Sequence, residues 1–203
     1  MTNIGLVYNI PFMSNLEWVA AFFGLWCGWL MVVQNVWGWP IGIVQVVLYI
    51  FVFYEARLYS DMTLQVIFIF VQLYGWYYWM YGKKDEGEKK VPVVSLSRSG
   101  KICWSLITLL GAISLGTFMA NKTKADLAYL DATGAVMSLV AQYLQGIKIL
   151  ESWLIWIVVD VLSIGIYIYK GLFPTTLLYI VYLGMAVKGF IEWRKHRKSE
   201  QPA

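Results

Sequence analysis

The chain of 203 residues has little charge, one histidine and two cysteines. Only 14% of its residues are charged, where a soluble domain has roughly 25%. The histidine is His196, and Cys27 and Cys103 show neither metal-ligand spacing nor a pattern typical of a structural disulfide. A glycine-rich phosphate loop is also missing. These shortages argue against His-based catalysis, a metal centre, a resident cofactor and an ATP-driven motor, so we predict no catalytic site.

Long hydrophobic blocks are what the chain has in abundance. Hydrophobic residues make up 60% of it, and its mean hydropathy is +0.62. An α-helix needs about 17–25 apolar residues to cross a bilayer, and seven blocks come near or reach that length. They cover residues 15–33, 37–54, 62–82, 101–119, 128–146, 152–169 and 172–191. We predict an all-α integral membrane protein with seven transmembrane helices in contact with lipid.

Basic residues are unevenly divided among the predicted loops. One set of alternate loops, together with the C-terminal tail, carries 12 of the 16 lysines and arginines, Lys148 among them. Loops rich in Lys and Arg stay in the cytoplasm, so we expect the N-terminus outside and the C-terminus inside. This bias accounts for the net charge of +4, and we predict no binding to nucleic acid.

The two halves of the chain resemble each other at an offset of 114 to 116 residues. The second and sixth blocks both begin with paired tryptophans, and the third and seventh both close with a glycine followed by aromatics. Three spans, one linking span and three more give parallel 3+1+3 repeats, as in the SWEET transporters. We expect one membrane domain, made of a first repeat with its cytoplasmic loop, a linking helix and loop, a second repeat and a basic tail, at residues 1–100, 101–127, 128–193 and 194–203.

A carboxylate, Asp160, lies at the centre of the sixth block. A charge there costs roughly 2.5–3.5 kcal/mol on insertion scales, which makes it a candidate functional residue. Trp153 and Trp156 share its helix face at the spacing i, i+3, i+7. An acid beside indole rings indicates a site for an organic cation. The alternatives are a protonated or hydrogen-bonded carboxyl that packs helices together and tryptophans of the membrane interface.

Other polar side chains in the predicted spans are candidates for the same site. Amides offer both donors and acceptors, which suits a heteroaromatic ring or a hydroxyl, although interhelical hydrogen bonding is an equally good explanation for each. At an offset of 115, Gln45 would occupy the position equivalent to Asp160. The remaining candidates come from the second, third, fifth and seventh spans, and they are Tyr49, Gln72, Gln142 and Tyr182.

Several segments together resemble the PnuC family of bacterial vitamin transporters. In the second half they are Asp131-Ala-Thr133, Glu151-Ser-Trp153-Leu-Ile-Trp156, Asp160 and Tyr169-Lys-Gly-Leu172. In the first half they are Leu58-Tyr-Ser-Asp-Met-Thr-Leu-Gln65 and Gly75-Trp-Tyr-Tyr-Trp79. The resemblance covers nearly the whole chain, and the two tryptophans followed by Asp160 are its most specific part.

The resemblance implies a seven-span protein of the bacterial inner membrane, with two three-helix repeats joined by a linking helix. It implies uptake by facilitated diffusion, functional coupling to a cytoplasmic vitamin kinase that traps the substrate by phosphorylation, and assembly as a homotrimer. The family's substrate site carries over to Trp153, Trp156 and Asp160.

Family members carry nicotinamide riboside, thiamine or riboflavin. A buried acid among aromatic rings suits the pyridinium of nicotinamide riboside or the thiazolium of thiamine, whereas riboflavin is neutral. The short chain with its brief basic tail resembles the thiamine-transporting PnuT branch, so we expect thiamine as the substrate and nicotinamide riboside as the alternative. A non-transporting membrane scaffold and an integral-membrane enzyme are the readings from other classes, and the single central acid gives the enzyme little support.

Overall fold

The computed structural model describes residues 15–55, 59–83, 90–122, 127–169 and 171–199, and these residues form seven helices. The helices are α1 (Asn15–Val32), α2 (Gly38–Glu55), α3 (Tyr59–Tyr81), α4 (Arg98–Lys122), α5 (Ala128–Gly146), α6 (Ser152–Tyr169) and α7 (Phe173–Ser199). Each coincides with one predicted block. Five of them, all but α3 and α5, are long and apolar enough to cross a membrane. The all-α membrane fold is therefore confirmed.

Helix α7 extends past the predicted end of its block, residue 191, to Ser199. The extension stays helical because Trp193 is fully buried in the core, and because Glu192 pairs with Lys195 one turn later at 3.0 Å. The first part of the predicted basic tail is thus the last turns of α7. Residues 200–203 of that tail lie outside the described part of the chain.

Six helices close into a ring. The order around it is α1, α2, α3, α5, α6, α7 and back to α1, while α4 packs against α5 on the outside. The two junctions that close the ring, α3 against α5 and α7 against α1, are equivalent when α1–α3 is laid on α5–α7. This is the predicted 3+1+3 arrangement, with α4 as the linking helix. We call the end of the ring where α3 and α7 finish the basic end.

The repeat has a constant offset of 114 residues. The Trp79 indole donates to the Gln145 carbonyl at 3.3 Å, and the Trp193 indole donates to the Met31 carbonyl at 3.1 Å. The hydrogen bonds of the α1–α2 turn recur 114 residues later in the α5–α6 turn, and α2 and α6 begin and end at this offset. The equivalence expected between Gln45 and Asp160 is therefore wrong by one residue, since Asp160 corresponds to Val46.

Four tryptophans form a layer across the ring near its basic end, and we call them the tryptophan layer. Trp39 meets Trp79 edge-on, with ring centroids 5.4 Å apart, and Trp153 meets Trp193 in the same way at 5.5 Å. Trp79 and Trp193 then touch across the centre, with centroids 5.8 Å apart. Helices in lipid associate by close packing rather than by hydrophobic burial, so this interlocked layer holds the two repeats together.

Glycines let the tryptophan layer form. A methyl group on Gly189 would lie 2.6 Å from the Trp153 ring, and one on Gly75 would meet the Trp39 ring just as closely. Cβ atoms in proteins essentially never approach another heavy atom closer than 3.0 Å, so each indole can pack here only against a glycine. This close packing explains why a glycine precedes the aromatic residues at the end of both repeats.

Lys148 lies beside the tryptophan layer. Its place among the predicted loop lysines implied that it would be solvated, but it is buried. It is 1% exposed, and its Nζ donates to Gln34 Oε1 at 2.6 Å. The same nitrogen lies 4.2 Å from the centroid of the Trp79 ring, a favourable cation–π geometry. Gln34 and Lys148 are themselves 114 residues apart, and both adopt positive φ angles, 54° and 60°. Equivalent turns of the two repeats thus meet at the centre of the ring.

Residues 90–97 form a strap that crosses the α5–α6 turn at the basic end. Val94 forms a parallel β-bridge with Ile149, and the Leu96 amide donates to Glu151 Oε2 at 3.0 Å. Glu151 also pairs with Lys101 at 3.1 Å. At the equivalent α1–α2 turn Trp37 is exposed instead. Among the described residues, therefore, only the second repeat is covered by the strap.

Candidate functional site

The face of α6 that carries the predicted site turns toward the ring interior. Trp153 and Asp160 are each 4% exposed, and Trp156 is half-buried. Asp160 is the ninth of the 18 residues of α6. At 1.5 Å per residue it lies about 10 Å from the tryptophan layer, deep in the span. Asp160 thus lies at the middle of α6, as predicted.

Asp160 has no hydrogen-bond or ion-pair partner among the described residues. Tyr182 of α7, the helix that packs against α6, lies within electrostatic reach of the carboxylate. A buried carboxylate without a countercharge is expensive in lipid. The arrangement is one that a positively charged ligand would stabilise.

Trp156 is held by a hydrogen bond from α6 to α5. Its indole Nε1 donates to Gln145 Oε1 at 3.2 Å. Gln145 is buried, and its backbone carbonyl accepts the indole of Trp79. The bond fixes the orientation of the Trp156 ring. This ring lies one helical turn nearer the basic end than Asp160. Gln145 was not among the predicted site residues, although it is an amide in the same span as Gln142, and only the structure shows its contact with Trp156.

Gln45 and Tyr182 meet over Gly24 of α1. A methyl group on Gly24 would lie 2.6 Å from Gln45 Nε2 and would collide with the Tyr182 hydroxyl. Counted along the helices, Gln45 lies about 9 Å beyond Trp39 and Tyr182 about 10 Å beyond Gly189. They therefore share the depth of Asp160, so three of the predicted site residues gather at one level of the ring.

Gln72 forms a second polar group nearer the basic end. It is 4% exposed, and its Oε1 lies against Gly42 of α2 and beside Cys27 of α1. Neither Gln72 Oε1 nor the Tyr182 hydroxyl has a hydrogen-bond partner in the part of the chain that the structure describes, although both atoms are buried. Most buried polar atoms in proteins are paired. These two atoms are therefore available to exchange hydrogen bonds with a ligand on the ring interior.

The remaining candidates lie at the edges of this region. Trp153 packs on Gly189 and against Trp193, and it corresponds at offset 114 to Trp39, which is fully buried. Tyr49 is half-buried and stacks on Phe53, with centroids 5.7 Å apart. Gln142 is half-buried on α5, one turn before Gln145. A substrate contact from these three residues stays a prediction.

The candidate site lies where the repeats differ. Trp156 corresponds to Gly42, Asp160 to Val46, Gln45 to Val159 and Gln72 to Ala186 at the offset of 114. By contrast, the tryptophan layer is the same in both repeats. Identical positions therefore build the ring, and the positions that differ place one acid, one indole and two amides on its interior.

Two cavities open away from these side chains. One of about 420 Å³ lies at the basic end and is lined by Gln34, Asn35, Trp79, Lys90 and Lys148, among others. The other, of about 320 Å³, is lined by apolar residues of α5 and α6 at the opposite end. Within the described residues no group of acidic, histidine or cysteine side chains has the arrangement of a metal site.

Comparison with known proteins gives this arrangement a context. A family model described as nicotinamide mononucleotide transporter matches residues 14–195. The chain belongs to this family, that of the PnuC transporters. The match spans nearly the whole described ring, so the resemblance seen in the sequence is confirmed, and the family is one of transporters rather than enzymes.

Individual relatives agree with the family. Nicotinamide riboside transporter PnuC of Escherichia coli (strain K12) is 26% identical over 207 residues, which cover 89% of this chain and 85% of that protein. Riboflavin/roseoflavin transporter RibM of Streptomyces davaonensis is 23% identical over 171 residues, which cover 83% and 80%. A crystal structure described as the vitamin B3 transporter PnuC matches with a TM-score of 0.76 and 27% identity, over 92% of this chain and 83% of that one.

These comparisons establish a multi-pass membrane protein of a vitamin transporter family. The relatives named above are described as transporters of nicotinamide riboside, of vitamin B3, or of riboflavin and roseoflavin. Thiamine, the substrate expected from the sequence, gains no support from them. The alternative, nicotinamide riboside, fits them better.

Proposed function

We propose that this protein transports nicotinamide riboside across the bacterial inner membrane by facilitated diffusion. The observation that carries the proposal is the buried Asp160 carboxylate, which has no cationic partner within the described part of the chain and lies one turn from the Trp156 indole. Nicotinamide riboside supplies what this set lacks, because it combines a permanently charged pyridinium with ribose hydroxyls and a carboxamide. The family and its nicotinamide riboside relatives support the same substrate.

Each group of the site has a distinct role in the proposal. Trp156 stacks on the pyridinium, and a desolvated cation over an indole gains about 2 kcal/mol. Asp160 supplies the opposite charge. Gln45, Gln72 and Tyr182 exchange hydrogen bonds with the ribose and the carboxamide, which gives partners to the buried Gln72 Oε1 and Tyr182 hydroxyl. Trp153 acts chiefly through the tryptophan layer against which the substrate helix packs.

Transport itself follows from the ring architecture. The site lies between two repeats, as in other transporters built from parallel repeats. Rocking of one repeat against the other about the tryptophan layer would expose the site to each side of the membrane in turn. The basic end faces the cytoplasm in this proposal, where a vitamin kinase traps the substrate, and the chain assembles as a homotrimer.

Thiamine is the second candidate, because its thiazolium would satisfy Asp160 and Trp156 equally well. The two vitamins differ in the rest of the molecule, since thiamine carries an aminopyrimidine where nicotinamide riboside carries a ribose. The contacts of Gln45, Gln72 and Tyr182 with this part of the molecule therefore determine which of the two vitamins binds more tightly.

A calorimetric comparison of three vitamins tests the proposal. The full-length protein, purified in detergent, is titrated with nicotinamide riboside, thiamine and riboflavin. We expect nicotinamide riboside to bind at least about tenfold more tightly than thiamine, a difference of roughly 1.4 kcal/mol, and riboflavin to bind weakest. Tighter binding of thiamine would mean that thiamine, and not nicotinamide riboside, is the substrate, and it would still support a site for a cation. Selective binding of riboflavin would refute the cation site, and binding of none of the three would refute the proposed function as a whole.

A further inference from the structure

Gln145 of α5 accepts two hydrogen bonds, and comparison of the two repeats distinguishes their roles. Its backbone carbonyl accepts the Trp79 indole at 3.3 Å, and its side-chain Oε1 accepts the Trp156 indole at 3.2 Å. The first bond has a twin in the other repeat, where the Met31 carbonyl accepts the Trp193 indole at 3.1 Å. The second has none, because the residue equivalent to Trp156 is Gly42.

The side chain of Gln145 is therefore not required by the architecture of the ring. Met31 occupies the equivalent position with an apolar side chain of similar length, is 3% exposed and packs in the core. An equivalent helix junction thus forms without an amide. What the amide adds in the second repeat is the contact to Trp156, and a buried amide at this depth is costly unless its hydrogen bonds are made.

We propose that Gln145 is a positioning residue that fixes the Trp156 indole in the orientation that receives the substrate ring. This inference rests on the proposed function, since it assigns Trp156 to the substrate. Without the bond the half-buried indole could rotate about its side-chain torsions, and binding would have to order it. Preorganisation of this kind raises affinity by removing an ordering cost.

The repeat also supplies the variant that tests the proposal. Gln145→Met installs the side chain that the first repeat carries at this position, so it removes the acceptor and keeps both the volume and the backbone bond to Trp79. Trp156→Phe removes the donor and keeps an aromatic ring. Met31→Leu is the matched control, a volume-conserving change at the equivalent position that leaves the Met31 carbonyl in place.

Calorimetric affinities for nicotinamide riboside, and for thiamine in parallel, are measured for the wild type, each single variant and the double variant. We expect Gln145→Met to weaken binding about fivefold, the size of one net hydrogen bond, with little change in thermal stability. If Gln145 acts through Trp156, Gln145→Met has no further effect in the Trp156→Phe background. Met31→Leu should leave the affinity unchanged.

The outcomes separate this inference from the proposed function. Weaker binding by Trp156→Phe together with full affinity of Gln145→Met, or with strictly additive losses, overturns the positioning role and leaves the substrate site intact. Unchanged binding by Trp156→Phe removes Trp156 from the site, and the role of Gln145 falls with it. If Gln145→Met fails to fold, the hydrogen-exchange rate of the Trp156 indole N–H is measured in the wild type instead. The signal is assigned by its loss in Trp156→Phe. Slow exchange supports the bond, and fast exchange overturns it.

Discussion

Replacing Asp160 by asparagine separates the charge of the site from its shape. The amide has nearly the same volume as the carboxylate but no charge. Because Asp160 is 4% exposed and has no cationic partner among the described residues, its charge destabilises the protein without ligand. We therefore expect Asp160→Asn to be at least as stable as the wild type, while it binds a cationic vitamin less tightly. Opposite shifts of stability and affinity are expected of a residue that serves function at a cost in stability.

The size of the affinity loss follows from the burial. A pyridinium centred about 5 Å from the carboxylate gains roughly 3 kcal/mol at an effective dielectric constant of about 20. Desolvation of the ligand cation cancels part of this gain. We expect a net loss of about 1.4–2.3 kcal/mol, or roughly ten- to fiftyfold in the dissociation constant.

Calorimetry with a charged and an uncharged ligand of the same shape measures this effect. Nicotinamide riboside should lose affinity for Asp160→Asn, whereas its reduced form, which has a neutral ring, should bind the two proteins alike. Asp131→Asn, the same chemical change in the first turn of α5, is the control and should leave both affinities unchanged. Equal affinity of Asp160→Asn and the wild type for nicotinamide riboside would refute the electrostatic role of Asp160.

Two further predictions concern the scaffold. Gly189→Ala places a methyl 2.6 Å from an indole of the tryptophan layer, so it should destabilise the protein by about 1–3 kcal/mol in thermal unfolding. Gly184→Ala, whose methyl would have no atom of the described residues within 4 Å, should not. Burial raises the pKa of Glu151, but the Leu96 amide and Lys101 outweigh it and lower that pKa below its ordinary 4.5. The stability that ionised Glu151 contributes is complete above pH 4.5 and is lost as the pH falls below it. The protection factor of the Leu96 amide, which compares its exchange rate with the intrinsic rate at each pH, should therefore fall there, and a pH-independent protection factor would contradict the contact.

The helices were predictable because apolar blocks of bilayer length in this chain have one structural solution, a membrane-spanning helix. Asp160 was predictable for the same reason, since a charge in such a block stands out from its neighbours. The facing of apolar side chains was not predictable. Trp37 and Trp39 are two residues apart, yet one is 65% exposed and the other fully buried. Lipid and protein interior favour the same residues, so composition does not tell the two faces apart.

Contacts between distant segments were also beyond the sequence. Lys148 reads as a loop cation, but its surroundings come from Gln34, Trp79 and Trp193, which are far from it in the chain. The repeat was visible with an uncertainty of two residues, and such a slip turns a helix position to a different face. The paired hydrogen bonds and the matching ends of α2 and α6 fixed the offset at 114, and this offset showed that Asp160 has no polar counterpart in the first repeat.

Uptake into liposomes tests the central claim most directly. The purified protein is reconstituted into liposomes with and without an enclosed enzyme and ATP that phosphorylate nicotinamide riboside, and labelled nicotinamide riboside is added outside. We predict equilibration with the external concentration in the empty liposomes, accumulation well beyond it where phosphorylation occurs, and strongly slowed entry for Asp160→Asn at low substrate concentration. Entry no faster than in protein-free liposomes, for nicotinamide riboside and thiamine alike, would contradict the assignment of this protein as a transporter of a cationic vitamin.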